Sequence, residues 1–152
     1  MKFAATLTIG LGLLAGQVSA ETHATGDADA GEKVFMKCKA CHSIVDNDDN
    51  VVVRGGMIGP NLYGVYDRQA GTVEGFSYGD SIVAAGESGL MWNETDFVTY
   101  VADPAKFLKS YLDDSKARSK MAFKLPKEED AMNVWAYLVS VGPEVEEAPA
   151  SN

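Results

Sequence analysis

The chain has 152 residues, and 13 Lys and Arg against 22 Asp and Glu give it a formal net charge of -9. That balance argues against nucleic acid as a partner, because such affinity rests on bases neutralising phosphates. With 46% hydrophobic residues it is an ordinary globular composition, long enough for one core, and nothing in it marks a second domain.

Residues 1–20 carry Lys2, an apolar run from Phe3 to Ala15, and the small-residue sequence Val18-Ser19-Ala20. They read as a secretory signal peptide cleaved after Ala20, since the run is shorter than the roughly 20 apolar residues of a bilayer span. A periplasmic location is therefore expected. A polar leader that includes His23 follows and is expected to be flexible, and then "DAGEKVFMKCKAC", where Ala30, Val34 and Phe35 at helical spacing predict a short helix leading into the cysteines.

"DNDDN" and "RGGMIGPNLYGV" read as loop with turns. "SYGDSIVAAGE" predicts a short helix with Ser77 near its start. Asn93-Glu94-Thr95-Asp96 resembles a capping box, and its helix has to stop before Pro104. Asp103-Pro104 supplies a cap and a first-turn proline for "PAKFLKSYL". From Pro126 a last helix carries acids in its first turn and Ala131, Trp135, Leu138 and Val139 on one face, ending at Gly142-Pro143. No segment alternates as a strand over several residues, so the fold class expected is all-α with long loops. The domain is taken as 21–143, with 144–152 a disordered acidic tail.

The chemistry concentrates in "KCKACHSI". Cys38 and Cys41 are the only cysteines, and His42 is one of two histidines. Positions i, i+3 and i+4 share a helical face, so the three side chains can meet one planar ligand. Two thiols adding across the vinyl groups of haem, with the next residue's imidazole as an axial ligand, is the chemistry of C-x-x-C-H. A redox dithiol would need a βαβ framework, structural zinc four Cys or His ligands, and a plain disulfide leaves the histidine unexplained.

The sixth position of the iron then decides function. Met36 is too near Cys38 to cross to the other haem face, and Met132 sits on the last helix. Met57 and Met91 are loop candidates, one close to the proximal side and one beside a tryptophan. Met121, in the non-periodic "KARSKMAFKLP", can fold across the opposite face.

Ordered motifs along the chain, "GDADAGEKVFMKCKACHSI", "GPNLYGV", "EGFSY", "WNETDFVTYVADPAKFL", "RSKMAFKL" and "VWAYL", resemble class I c-type cytochromes, in the large bacterial cytochrome c2/c-550/c-551-like subgroup. The resemblance implies four to five helices and long loops around one covalently bound haem c. It makes Cys38 and Cys41 the thioether anchors, His42 the proximal iron ligand and Met121 the distal one. Pro60 would accept from the His42 ring, Arg68, Tyr78 and Trp92 would hold the propionates, and Tyr100 would line the Met side. Gly31, Phe35, Trp135 and Tyr137 fit the packing of the first helix on the last. The stretches Ile44 to Gly59 and Lys109 to Lys120 are longer than in the mitochondrial form, and Asp67 stands where many relatives have glycine.

The resemblance further implies an electron carrier rather than an enzyme. Its donor would be a cytochrome bc complex, and its acceptor a terminal oxidase, a photosynthetic reaction centre or a denitrification enzyme. The bases that flank the two ligand segments, Lys33, Lys37, Lys39, Lys116, Arg118, Lys120, Lys124 and Lys127, form an expected rim for transient docking of a monomer onto acidic partners. The alternative is a five-coordinate haem protein with gas-binding or peroxidase activity; a subunit held permanently in a larger enzyme is a third reading.

Overall fold

The computed structural model describes residues 23–144. The expected signal peptide and almost all of the expected tail lie outside the described residues. Among the described residues five helices and one small hairpin follow in chain order.

Helix α1 (Ala28–Phe35) begins where the Asp27 carboxylate accepts from the Ala30 amide at 2.9 Å. The cap is therefore Asp27, and Asp29 sits in the first turn, where the helix dipole favours it. The last helix, α5 (Glu128–Ser140), opens with Glu128, Glu129 and Asp130 in its first turn, two residues after the expected Pro126. These two helices pack on each other through Gly31 and Phe35, with the Phe35 and Tyr137 rings 5.5 Å apart. A methyl group on Gly31 would meet the Asn133 carbonyl, so only glycine permits this approach.

Between them, α2 (Asp80–Glu87) starts after Gly79 and leaves Ser77 outside. Helix α3 (Glu94–Ala102) is capped by Asn93, which accepts from the Asp96 amide at 3.0 Å while its own amide donates to the Asp96 carboxylate at 2.7 Å. Asp103 ends α3 and caps α4 (Pro104–Tyr111), accepting from the Lys106 amide at 3.1 Å, with Pro104 in the first turn. Helix α3 lies on α5 and on α4, and α4 on α2, so the helices form a continuous chain of contacts.

The segment expected as pure loop contains an antiparallel hairpin, β1 (Ile44–Val45) with β2 (Val51–Val53). Its turn is built by Asp46, whose carboxylate accepts from the Asp48 and Asn50 amides at 2.9 and 2.8 Å, and by Asp49 at φ 64°. The β-branched run on either side of an Asx turn is what pairs. The leader also differs from expectation. The His23 carbonyl accepts from the Trp135 indole at 2.8 Å, and its ring packs on Tyr66 with centroids 4.6 Å apart.

Two hydrophobic clusters result. One gathers Phe35, Ile44, Phe97, Trp135 and Leu138 under α1, α3 and α5; the other gathers Ile82, Leu90, Phe107 and Leu108 around α2 and α4. Trp92 and Tyr100 pack against both.

Candidate cofactor site

Beyond Phe35 the chain leaves the regular helix but keeps its sense through bonds from the Cys41 and His42 amides to the Cys38 carbonyl, each 3.0 Å. Cys38, Cys41 and His42 consequently line one cavity of about 440 Å³. Glycines back this turn. A methyl on Gly55 would meet the His42 carbonyl, and one on Gly59 would strike the imidazole ring.

The His42 Nδ1 lies 2.8 Å from the Pro60 carbonyl. A carbonyl only accepts, so the ring proton is on Nδ1 and Nε2 keeps its lone pair. Burial holds the His42 pKa below its ordinary value, against the opposing pull of the Pro60 bond. The Cys38 thiol is pushed up to about 11, chiefly by burial, with Lys37 lowering it and Cys41 raising it. At neutral pH it is a protonated thiol. The two cysteines are not joined, and among the described residues no three His, Cys, Asp or Glu side chains gather to hold a metal.

All nine residues expected at the site line this cavity: Pro60, Arg68, Tyr78, Trp92, Tyr100 and Met121 join the three from the turn. The Arg68 guanidinium donates to the Tyr63 and Asn61 carbonyls at 2.8 and 3.2 Å, and burial lowers its pKa. Asp67 adopts φ 52° and is exposed, so the charge beside Arg68 faces water while the guanidinium turns inward. Burial raises the pKa of Tyr78 and of Tyr100. The Tyr100 hydroxyl is 3.4 Å from the Ser119 hydroxyl, and Ser119 Oγ also accepts from the Met121 amide at 3.1 Å. Of the described methionines only Met121 lines the cavity. Met36, Met57 and Met91 are 57, 88 and 40% exposed, and Met132 lines a surface groove beside Thr25.

Much of the remaining wall is apolar, with Leu62, Val65, Ile82, Phe97, Val101 and Val134 among it. Sequence reasoning did not assign these to the site, because apolar residues on helices look alike whether they meet a cofactor or each other. Ser119 gave no signal at all. The basic rim is thinner than its composition suggests. Lys37 pairs with Asp130 at 3.6 Å, Lys124 with Asp103 at 2.6 Å, and Lys127 with Glu129 and Asp130 at 3.0 Å. Lys37, Arg118 and Lys120 stand at the cavity itself.

A largely apolar pocket with two unjoined cysteines, an imidazole whose ring is oriented by a carbonyl, and one thioether fits haem c. A cytochrome c-551 from Roseobacter denitrificans is 56% identical over 123 residues, covering 81% of this chain and 86% of that protein. A cytochrome c2 from Rhodobacter capsulatus is 57% identical over 116 residues, 76% of this chain and 83% of that protein. The chain belongs to the cytochrome c2 family of class I c-type cytochromes. The crystal structure of the Rhodobacter sphaeroides cytochrome c2 superposes on this cytochrome with a TM-score of 0.77 at 50% identity, over 80% of this chain and all of that one. The ferric cytochrome c-550 of Paracoccus versutus gives 0.74 at 45% identity, over 78% of this chain and all of that one. No protein-family model matches the sequence. Membership makes this cytochrome an electron-transfer protein and not an enzyme, and implies a covalently bound haem c.

Proposed function

We propose that this cytochrome is a periplasmic one-electron carrier, exported by residues 1–20 and folded as a single domain over 21–143, with 144–152 as a tail. The observation that carries the reading is the convergence of Cys38, Cys41, His42 and Met121 on one apolar cavity. Cys38 and Cys41 would form the thioethers, and His42 Nε2 and the Met121 sulfur would ligate the iron. Bound there, haem c supplies a one-electron couple, with its potential raised by His/Met ligation.

The chain's own residues do the rest. Pro60 fixes the orientation of the His42 ring and raises its donor strength. The apolar walls exclude water and favour the less charged ferrous state. Arg68, Tyr78 and Trp92 would bind the propionates, and Tyr100 would lie along the Met121 side.

Two ligating residues leave no room for substrate at the metal, which favours outer-sphere transfer over the five-coordinate alternative. Donor and acceptor would be a cytochrome bc complex and an oxidase, reaction centre or denitrification enzyme. Lys33, Lys39, Lys116, Arg118 and Lys120 make no ion pair among the described residues and would carry the docking charge. Contacts through such a rim are weak and salt-sensitive, as repeated turnover requires.

Carbon monoxide added to the reduced protein tests this. No rapid spectral change in wild type with ready binding in Met121→Ala is the expected result. Binding by wild type would overturn the Met121 assignment and point to gas or peroxide chemistry.

A further inference from the structure

The loop between β2 and Pro60 carries two side chains that neither the core nor the expected ligand set uses. Met57 is 88% exposed and Ile58 80%, more than any other large apolar residue among the described ones. Ile58 lines the cavity and Met57 does not, and the next residue, Gly59, backs the His42 ring. The pair therefore stands at the mouth of the cavity on its His42 side. The tip is pinned on both flanks, because the Gly56 amide donates to the Lys39 carbonyl at 2.9 Å and the Gly59 amide to the Cys41 carbonyl at 2.8 Å.

Apolar side chains kept in water carry a cost that burial against another surface recovers, and a tip held in place beforehand loses less entropy on contact. The charges around it select that surface. Arg54 stands three residues before Met57, Lys39 is tied to the tip through its carbonyl, and Arg118 and Lys120 line the same cavity. None of these four makes an ion pair among the described residues. An apolar centre among unpaired bases matches a protein face that bears an apolar spot ringed by carboxylates. Two side chains fall far short of the roughly 1,200–2,000 Å² that a stable interface buries, which disfavours a lasting dimer and suits the smaller, brief contacts of electron transfer. A net charge of -9 disfavours an anionic bilayer.

We propose that Met57 and Ile58 are the apolar anchor of the docking face, seated on an acidic redox partner and supplying a share of the affinity that salt does not screen. The bases speed the approach, and the anchor sets how long the complex lasts. This rests on the protein being an electron carrier, and it divides docking into a salt-sensitive and a salt-insensitive part.

Turnover of the haem-loaded protein by purified cytochrome bc complex and a quinol, followed across ionic strength, tests the anchor. Met57→Thr combined with Ile58→Thr should lower kcat/KM roughly fivefold at low and at high salt alike, as loss of a small apolar hot spot does, with the salt slope of wild type retained. Equal kcat/KM in the double variant and wild type at high salt overturns the anchor, and so does a loss confined to low salt. Tm and the rate of reduction by ascorbate should match wild type, since both side chains lie in water. A change in either would make the pair structural and overturn its docking role. Co-sedimentation of wild type with vesicles of phosphatidylcholine and phosphatidylglycerol, or a dimer in sedimentation velocity, if abolished in the double variant, would assign the pair to lipid or to a second copy instead. A wild type that ascorbate reduces and the bc complex does not is a separate failure: the carrier reading falls, and the anchor with it.

Discussion

Replacing Gly31 by alanine sets two effects of known sign against each other. Within a helix, alanine is favoured over glycine by about 1 kcal/mol through backbone entropy. Against that, the new methyl would collide with the Asn133 carbonyl and come within 2.8 Å of the Tyr137 Cβ. Overpacking costs about 1–3 kcal/mol where side chains can rotate away. Here the obstacle is α5 backbone, so the helices have to part, and the Phe35 contact with Tyr137 loosens with them. The cost should fall at or above the top of that range, leaving a net loss of about 2 kcal/mol. For a domain of this size that lowers Tm by on the order of 10 °C. Thermal unfolding of the haem-loaded ferric protein, followed by far-ultraviolet circular dichroism, measures it. A Tm equal to wild type or higher would mean that helix propensity wins and that the two helices are not in backbone contact at Gly31.

The Asp103 carboxylate is held below its ordinary pKa mainly by the hydrogen bond from Lys124, with the Lys106 amide adding to it. A depressed folded pKa contributes stability above the ordinary carboxylate value of about 3.9, lost as pH falls through the folded one. The Tm gap between wild type and Asp103→Asn should therefore be present at pH 7 and close as the solution is acidified below that range; a gap independent of pH would refute the charge argument. Lys120→Gln should reduce the ionic-strength dependence of electron transfer to an acidic partner more than Lys127→Gln does, since Lys127 is already paired with Glu129 and Asp130. Equal salt slopes in stopped-flow kinetics would count against the narrowed rim. Gly59→Val should push the His42 ring off the Pro60 carbonyl, read as a changed Nδ1 proton resonance; an unmoved resonance would show that the loop yields instead.

The helices were legible because their boundaries have local causes. Asn93, and Asp103 with Pro104, cap where their side chains reach amides three residues on, and this is written in adjacent residues. The convergence of nine side chains on one cavity was legible through motif order, since spacing alone places only Cys38, Cys41 and His42 together. The hairpin was missed because Val51–Val53 does not alternate, and two of its three residues face water. His23 was misread as loose leader, because its partners Tyr66 and Trp135 lie far along the chain and no local pattern announces them. Likewise, composition counted lysines without their carboxylate neighbours across helices, which is why Lys37 entered the rim.

The joining of α1 to α5 also has a consequence for maturation. A polypeptide made from its amino end presents Cys38, Cys41 and His42 early, while the helix that must lie across α1 is the last to exist. Closing a loop of that length costs chain entropy that is recovered only when the two end helices meet. Until then α1 lacks the surface that Gly31 and Phe35 pack against, and the cavity that Val134 helps to line is complete only once α5 has docked.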